Sequence, residues 1–306
     1  MRIAHFATGF LGAIALLAQG DVAASGCDTV IGKPPPLAHQ NGSFLLHYAL
    51  EGSNELSDPR DANSNGVPDI VEDTGLQLQV MHELLMHFGF RNPLMLDRYA
   101  GQGAKVVHVR FVDMKGNGTA MDEPRTPRGQ PCGLLINLST KLSRGNLTPA
   151  HEYFHLWNVK RIRPIELGPF NYDEENYTSL LWVMEGFTSY YDELILRRTG
   201  FYTEEEFLAK LQSSINYVEG SPGSRVQPVA HASFDAWVKA YRPNENSSNT
   251  SMTYYSRGSV LASIIDAMIV ADSDGKKCLD HFMQQLYTTY YEGLKRGFSE
   301  AEFKAE

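Results

Sequence analysis

The residues best suited to chemistry in this 306-residue chain are two histidines and a glutamate, in the run His151-Glu152-Tyr153-Phe154-His155. Residues four apart share a helix face, so the H-E-x-x-H spacing predicts two imidazoles presented to one Zn²⁺. Glu152, one residue round, is placed to take a proton from a metal-activated water as general base. The same pentapeptide also arises by chance on buried helices whose histidines only hydrogen-bond. A catalytic zinc takes a third protein ligand. Glu185 is the candidate, in Leu181-Trp182-Val183-Met184-Glu185-Gly186-Phe187, because a carboxylate in so apolar a run is costly to bury unless paired or bound to a metal. Glu174, Glu175 and Glu193 are rival carboxylates.

A second pattern of metal-ligand type lies upstream. Asp61, Asn63, Asn65, Asp69 and Glu72 occupy positions 1, 3, 5, 9 and 12 of an EF-type loop, with Gly66 at position 6 and the Val67 carbonyl at position 7. Such an oxygen cage suits Ca²⁺. Pro59 sits just before the loop, so no entering helix is expected and a structural ion fits better than a sensor. The competing reading is an Asn/Asp/Gly turn that caps the following helix.

The elements that must position these groups are legible in outline. Thr148 caps a zinc helix with Pro149 in its first turn. A second helix is expected over Tyr177–Arg198, closed by Gly200, with Glu174 and Glu175 at its start. Apolar spacing predicts a helix from Glu72 to near Gly89. Lys105–Asp113 and Cys132–Leu138 read as strands, separated by a polar Gly/Pro-rich loop over Gly116–Pro131. Ser43–Leu50 is a short strand-like run inside an extended arm. In zinc peptidases of the thermolysin type, an edge strand just before the zinc helix pairs with the substrate backbone, and Cys132–Leu138 is expected to do so here.

Composition sets further bounds. The charged fraction of 21% and hydrophobic fraction of 42% are those of a globular protein, and a net charge of −9 argues against nucleic acid or an anionic membrane as partner. Residues 1–24 read as a signal peptide, with a basic start, an apolar run and small residues before the cleavage point. The expected location is secreted or periplasmic. Ala24-Ser25-Gly26-Cys27 also resembles a weak lipobox, which makes Cys27 an alternative lipid anchor. No later run is apolar for long enough to span a bilayer. Of three cysteines, Cys27, Cys132 and Cys278, one at least stays unpaired, and none has zinc-finger spacing.

The strings HEYFHLWNVKRIRP, ENYTSLLWVMEGFTSYYDELILRRTG, ASFDAWVKAYRPNENSSN and TYYSRGSVLASIIDAMI resemble the glycyl aminopeptidase family of gluzincin zinc metallopeptidases over about residues 148–306. Members of that family often carry a PDZ domain. The resemblance implies that His151, His155 and Glu185 bind zinc and that Glu152 is the base. It also aligns Tyr255-Ser256-Arg257-Gly258 with a Y-x-K-G segment whose tyrosine stabilises the oxyanion, so Tyr255 takes that role, with Tyr254 as rival. The G-x-M-E-N segment that captures a substrate's free amine in aminopeptidase N has no counterpart before the zinc helix, and Cys132–Ser139 carries no acid. Aminopeptidase and endopeptidase action therefore both stay open.

The expected architecture is α+β: a gluzincin-like, thermolysin-like catalytic domain with a small sheet beside the zinc helix and a mostly helical half after it. Its divisions are the signal peptide, an N-terminal arm over 25–73 bearing the loop 61–72, and a catalytic domain over 74–306, whose part 74–147 holds the sheet. The expected activity is hydrolysis of peptide bonds in peptide or protein substrates. The competing readings are a peptidase-like protein that binds without hydrolysis, and an epoxide or ester hydrolase on the same zinc site.

Overall fold

The fold is given by a computed structural model that describes residues 32–95, 106–121, 133–143, 148–171 and 173–306. The leader 1–24, Cys27 and Cys132 lie outside the described residues. Among the described residues no helix is long and apolar enough to cross a membrane.

Five strands form one mixed sheet: β1 (Leu37–Asn41), β2 (Phe44–Tyr48), β3 (Val107–Val112), β4 (Gly118–Met121) and β5 (Leu135–Ser139), in the order β1-β2-β3-β5-β4. β1 and β2 are an antiparallel hairpin whose turn glycine, Gly42, has φ +52°. β2, β3 and β5 run parallel, and β4 returns antiparallel along β5. Alternation decides the faces. Phe44, Leu46 and Tyr48 are buried while Leu45 and His47 between them are half-buried.

The "arm" is therefore two strands of the central sheet, continuous with the strands that follow. The edge beside the helix that carries His151 also differs from expectation. β5 lies between β3 and β4, so it has no free edge. The edge strand is β4, from the stretch that reads as polar loop; only the pairing Gly118↔Leu138 to Met121↔Leu135 makes it a strand.

Helix α1 (Asp69–His87) packs on β1 and β2, and the short helix α2 (Thr148–Phe154), bearing His151 and Glu152, packs against α1, β4 and β5. The helical half follows. The second expected helix starts at Leu181, four residues later than predicted, and opens with a π-turn over Trp182–Gly186 before α3 (Phe187–Arg198). Glu174 and Glu175 precede this helix and do not cap it; Glu175 accepts a hydrogen bond from Tyr177 instead. Then come α4 (Glu204–Gly220), α5 (Val229–Phe234), α6 (Ser247–Thr250), α7 (Tyr254–Asp272), α8 (Leu279–Leu286) and α9 (Glu300–Ala305). Ser299 and Glu302 close a reciprocal capping box at the start of α9, where the sequence signals a helix.

The main core lies between the sheet and α1, α2 and α3, with Trp157, Tyr153, Phe154, Tyr191 and Phe187 fully buried. α7 crosses the π-turn at two glycines. A Cβ on Gly186 would fall 2.4 Å from Gly258 Cα, and one on Gly258 would fall 2.4 Å from the Trp182 carbonyl oxygen. Backbone meets backbone there, which sets the tyrosines at the start of α7 beside Glu185.

Candidate active site

α2 and the residue that follows it supply three groups of the site, His151, Glu152 and His155. Tyr153, between the two histidines, is fixed to α1 by a 2.5 Å hydrogen bond with His82 Nδ1. After Phe154 the helix breaks into tight turns, so His155 sits just past its end. The short helix still places the two rings together, centroids 4.5 Å apart and perpendicular.

Each imidazole is tied at Nδ1 and free to bind at Nε2. His151 Nδ1 lies 3.0 Å from Asp192 Oδ2, and His155 Nδ1 donates to the Asn158 carbonyl at 2.7 Å. Both Nε2 atoms lie 3.2 Å from Glu185 Oε2. His151, His155 and Glu185 are the one His/Cys/Asp/Glu cluster among the described residues whose ligand atoms converge on a common point, all within 4.8 Å of one another. Two nitrogens and one carboxylate oxygen are the donor set of a catalytic zinc site with an open position, and the residues present fit that ion. The rivals Glu174, Glu175 and Glu193 are not in the cluster.

Electrostatics point the same way. Burial pulls the His151 imidazole down, but the Asp192 and Glu185 carboxylates outweigh it and push it up to about 11. Burial likewise opposes charge on His155, and Glu185 overcomes it and raises that ring too. Burial disfavours the Glu185 carboxylate, yet the two imidazoles hold it well below the usual carboxylate range. The cluster is thus a pocket of buried negative potential that is neutralised either by protons on the rings or by a divalent cation at Nε2.

Glu152 is buried beside this cluster. Burial raises its carboxyl, with His155 and His151 pulling it back. Gly118 of the edge strand is its neighbour: a Cβ there would fall 2.7 Å from Glu152 Cγ and 3.0 Å from Oε1. Tyr255 stacks on His151 with ring centroids 6.3 Å apart and lies within reach of the Glu185 charge. Burial first, then the Glu185 charge, raises the Tyr255 phenol, which keeps it a proton donor. Tyr254, the rival, is buried against Tyr241, its hydroxyl 3.2 Å from the Tyr241 hydroxyl.

Two residues of the site escape a reading of the sequence. Asp192 lies seven residues after Glu185, two turns on, and that spacing on one helix face was the available signal. Asn158 had none. It is fully buried, and its Nδ2 donates to the carbonyls of Val183 and Met184 at 3.0 Å each and to Thr188 Oγ1 at 3.1 Å. It therefore ties the His155 ring, through its own carbonyl, to the π-turn that carries Glu185. π-turns of this kind often mark functional sites, because they leave backbone carbonyls to be met by other groups. Just past the histidines the chain carries three basic residues, Lys160, Arg161 and Arg163; Lys160 and Arg163 lie over the Phe170 ring, at 4.9 and 4.8 Å, and Arg161 is buried, so these side chains are part of the packing.

In the loop 61–72 the side chains of Asn63, Asn65 and Glu72 meet, and that of Asp61 turns to the loop backbone. The Asn63 and Asn65 amides donate to Glu72 at 3.0 and 2.6 Å, and Asp61 accepts from the Asn65 and Gly66 backbone at 3.1 and 2.7 Å. Asp69 accepts from Ala62 N–H at 3.0 Å, so it holds the loop closed at the start of α1. β4, whose Gly118 adjoins Glu152, is followed in the sequence by Asp122-Glu123, which lie outside the described residues.

Residues 146–261 match the model of the M61 glycyl aminopeptidase family. The fold is similar to the crystal structure of an aminopeptidase N family protein from Idiomarina loihiensis, with TM-score 0.61 and 23% identity over 87% of this chain and 42% of that one. The chain thus spans less than half the length of that protein. No curated protein matches the chain. The family model covers the two histidines, both carboxylates and the tyrosine, and the surrounding fold is aminopeptidase-like.

Proposed function

We propose that the chain is a zinc metallopeptidase that hydrolyses peptide bonds. The observation that carries this reading is the disposition of the two imidazoles: both Nδ1 atoms are spent on buried partners, and both Nε2 atoms are turned to one carboxylate oxygen. His151, His155 and Glu185 would hold the ion. Zinc would supply a Lewis acid for the scissile carbonyl and a water acidified enough to attack at neutral pH. The Glu152 carboxylate is placed to take a proton from an attacking water and to return it to the leaving amine. Tyr255 donates a hydrogen bond to the carbonyl oxygen as negative charge grows there. Asp192 and Asn158 hold the two rings in the tautomer that leaves Nε2 free. β4 is an edge strand of the sheet among the described residues and its Gly118 adjoins Glu152, which supports a role for it in pairing with an extended substrate backbone.

Export of the protein and calcium binding in the loop belong to the same reading. Asp61, Asn63, Asn65, Asp69 and Glu72 with the Val67 carbonyl would give a hard oxygen cage, and an ion there would stiffen the start of α1. The deciding experiment compares peptides with free and acetylated N-termini, using wild type and Glu152→Gln, with bound zinc counted in both. Zinc-dependent hydrolysis lost in Glu152→Gln supports the assignment. Zinc-free protein, or full turnover by Glu152→Gln, sinks it. Cleavage of the free peptides alone makes it an aminopeptidase; cleavage of both makes it an endopeptidase.

A further inference from the structure

A chain of aromatic rings leads out of the site to the surface. Tyr255 stacks on His151, Tyr254 stacks on Tyr255 at 4.9 Å, and the Tyr254 hydroxyl meets that of Tyr241. Tyr241 contacts Trp237, with centroids 6.0 Å apart. Trp237 Nε1 donates to the Asn176 carbonyl at 2.9 Å, and the next residue, Tyr177, lies 5.3 Å from the Phe234 ring.

The outer half of this chain is held from beneath. α5 and the turns after it rest on a small cluster of their own, Ala232, Ala236 and Tyr254 with Trp182 and Tyr255, separate from the main core. Ser233 Oγ accepts from Trp182 N–H at 3.0 Å, which pins α5 to the π-turn that carries Glu185. The polar atoms of Trp237 and Tyr241 are thus spent on the protein, and the apolar surfaces face outward. Tyr241 is 63% exposed, Val238 51%, Phe234 50% and Trp237 38%. Four large apolar side chains within eight residues, left in water on a rigid support, are what a binding surface presents.

We propose that this strip is a substrate subsite, resting on the peptidase reading of the neighbouring site: it takes an aromatic or large apolar side chain of an extended peptide, several residues from the scissile bond. Continuity with the site selects the occupant. The strip begins at the ring that stacks on a candidate metal ligand and is pinned to the segment that carries another. Three ring-to-ring steps at the distances above correspond to about three to six extended residues, so an oligopeptide reaches the strip and a dipeptide does not. Fixed aromatic faces bind such a side chain with little loss of rotamer freedom.

The test uses the zinc-loaded chain and peptides with one constant cleavable core, extended at either end by Gly-Gly-Phe or Gly-Gly-Ala. For wild type, kcat/KM is expected to favour the Phe peptide at one end by about tenfold. That ratio falls towards unity in Trp237→Ala and in Val238→Asp, the second being independent of the Trp237 anchor to Asn176. Binding is read separately in Glu152→Gln by tryptophan fluorescence, since Trp157 is buried and Trp182 half-buried while Trp237 is exposed. The Phe peptide should shift the emission, and the shift should vanish in Trp237→Phe. Hydrolysis with equal rates for both peptides and no shift overturns the strip and leaves the peptidase reading standing. A shift without hydrolysis in wild type overturns the peptidase reading and leaves the strip as a peptide-binding surface.

Discussion

Two segments of this chain carry metal-ligand spacing, and the structure treats them differently. The loop 61–72 draws all its candidate oxygens from twelve consecutive residues, is exposed over residues 62–66, and satisfies its side chains within itself, Asn63 and Asn65 donating to Glu72 and Asp61 accepting from backbone N–H groups. The cluster at His151, His155 and Glu185 draws on two distant segments, is mostly buried, and has every non-binding atom of its rings committed to a partner, Asp192 or Asn158. A local motif needs only its own turn. A site assembled across the fold needs a second layer to aim it, and that layer is the better sign of chemistry, because buried polar groups are held in such arrangements at a cost in stability.

The comparison can be broken most sharply at the base. Glu152→Gln should keep its zinc and lose about 10²–10⁴ in kcat, whereas Glu72→Gln should leave kcat and zinc content alone. Replacing Glu185 by Ala should leave the purified protein without zinc by elemental analysis; retention of a full equivalent would mean that another group completes the site.

The next effect concerns the second layer. Asp192→Asn should weaken zinc by about 10–100-fold in a chelator competition. Asn158→Ala should weaken it by roughly the lower end of that range. It should also cost about 1–3 kcal/mol of stability in denaturant unfolding, since buried carbonyls of the π-turn lose their donor. An Asn158→Ala protein with unchanged zinc affinity would reduce that residue to packing.

Proton linkage is smaller but has a definite sign. The His151 ring, lowered by burial but raised more by Asp192 and Glu185, is pushed up to about 11 in the metal-free fold, so zinc must displace its proton near neutral pH. Affinity should therefore rise with pH, by up to about tenfold per unit for each proton released. Stability of the metal-free fold runs the other way: this raised group contributes fully below its unfolded value of 6.5 and loses its contribution as pH climbs through about 11. Calorimetry in buffers of different ionisation heat measures the release. The loop contains no imidazole, so calcium uptake there should release no such proton. The smallest effect is thermal: calcium should raise the melting temperature by about 2–4 °C for each kcal/mol of binding, and Asp61→Ala should abolish the rise.

The candidate site was legible wherever spacing along one segment carries the chemistry. His151, Glu152 and His155 declare themselves by the i, i+4 rule, and the loop by its twelve-residue pattern. Glu185 and Tyr255 lie in other segments and needed respectively the apolar run around a carboxylate and a likeness to known sequences. The edge strand was misplaced because Gly118–Met121 has neither β-branched alternation nor length, and becomes a strand only through its partner β5.

The sequence by itself determined the helix that pairs two imidazoles and a carboxylate, the two strand-forming runs within Lys105–Asp113 and Cys132–Leu138, and the carboxylate set into an apolar helix. These follow from periodicity and burial cost, which are properties of neighbours in the chain. Only the tertiary structure decided that Gly186 meets Gly258, that Asn158 ties the histidine to the π-turn, and that Asp192 orients His151. Those contacts join residues up to 72 positions apart at van der Waals or hydrogen-bond distance, and no local pattern in a single chain specifies which distant backbone will lie that close.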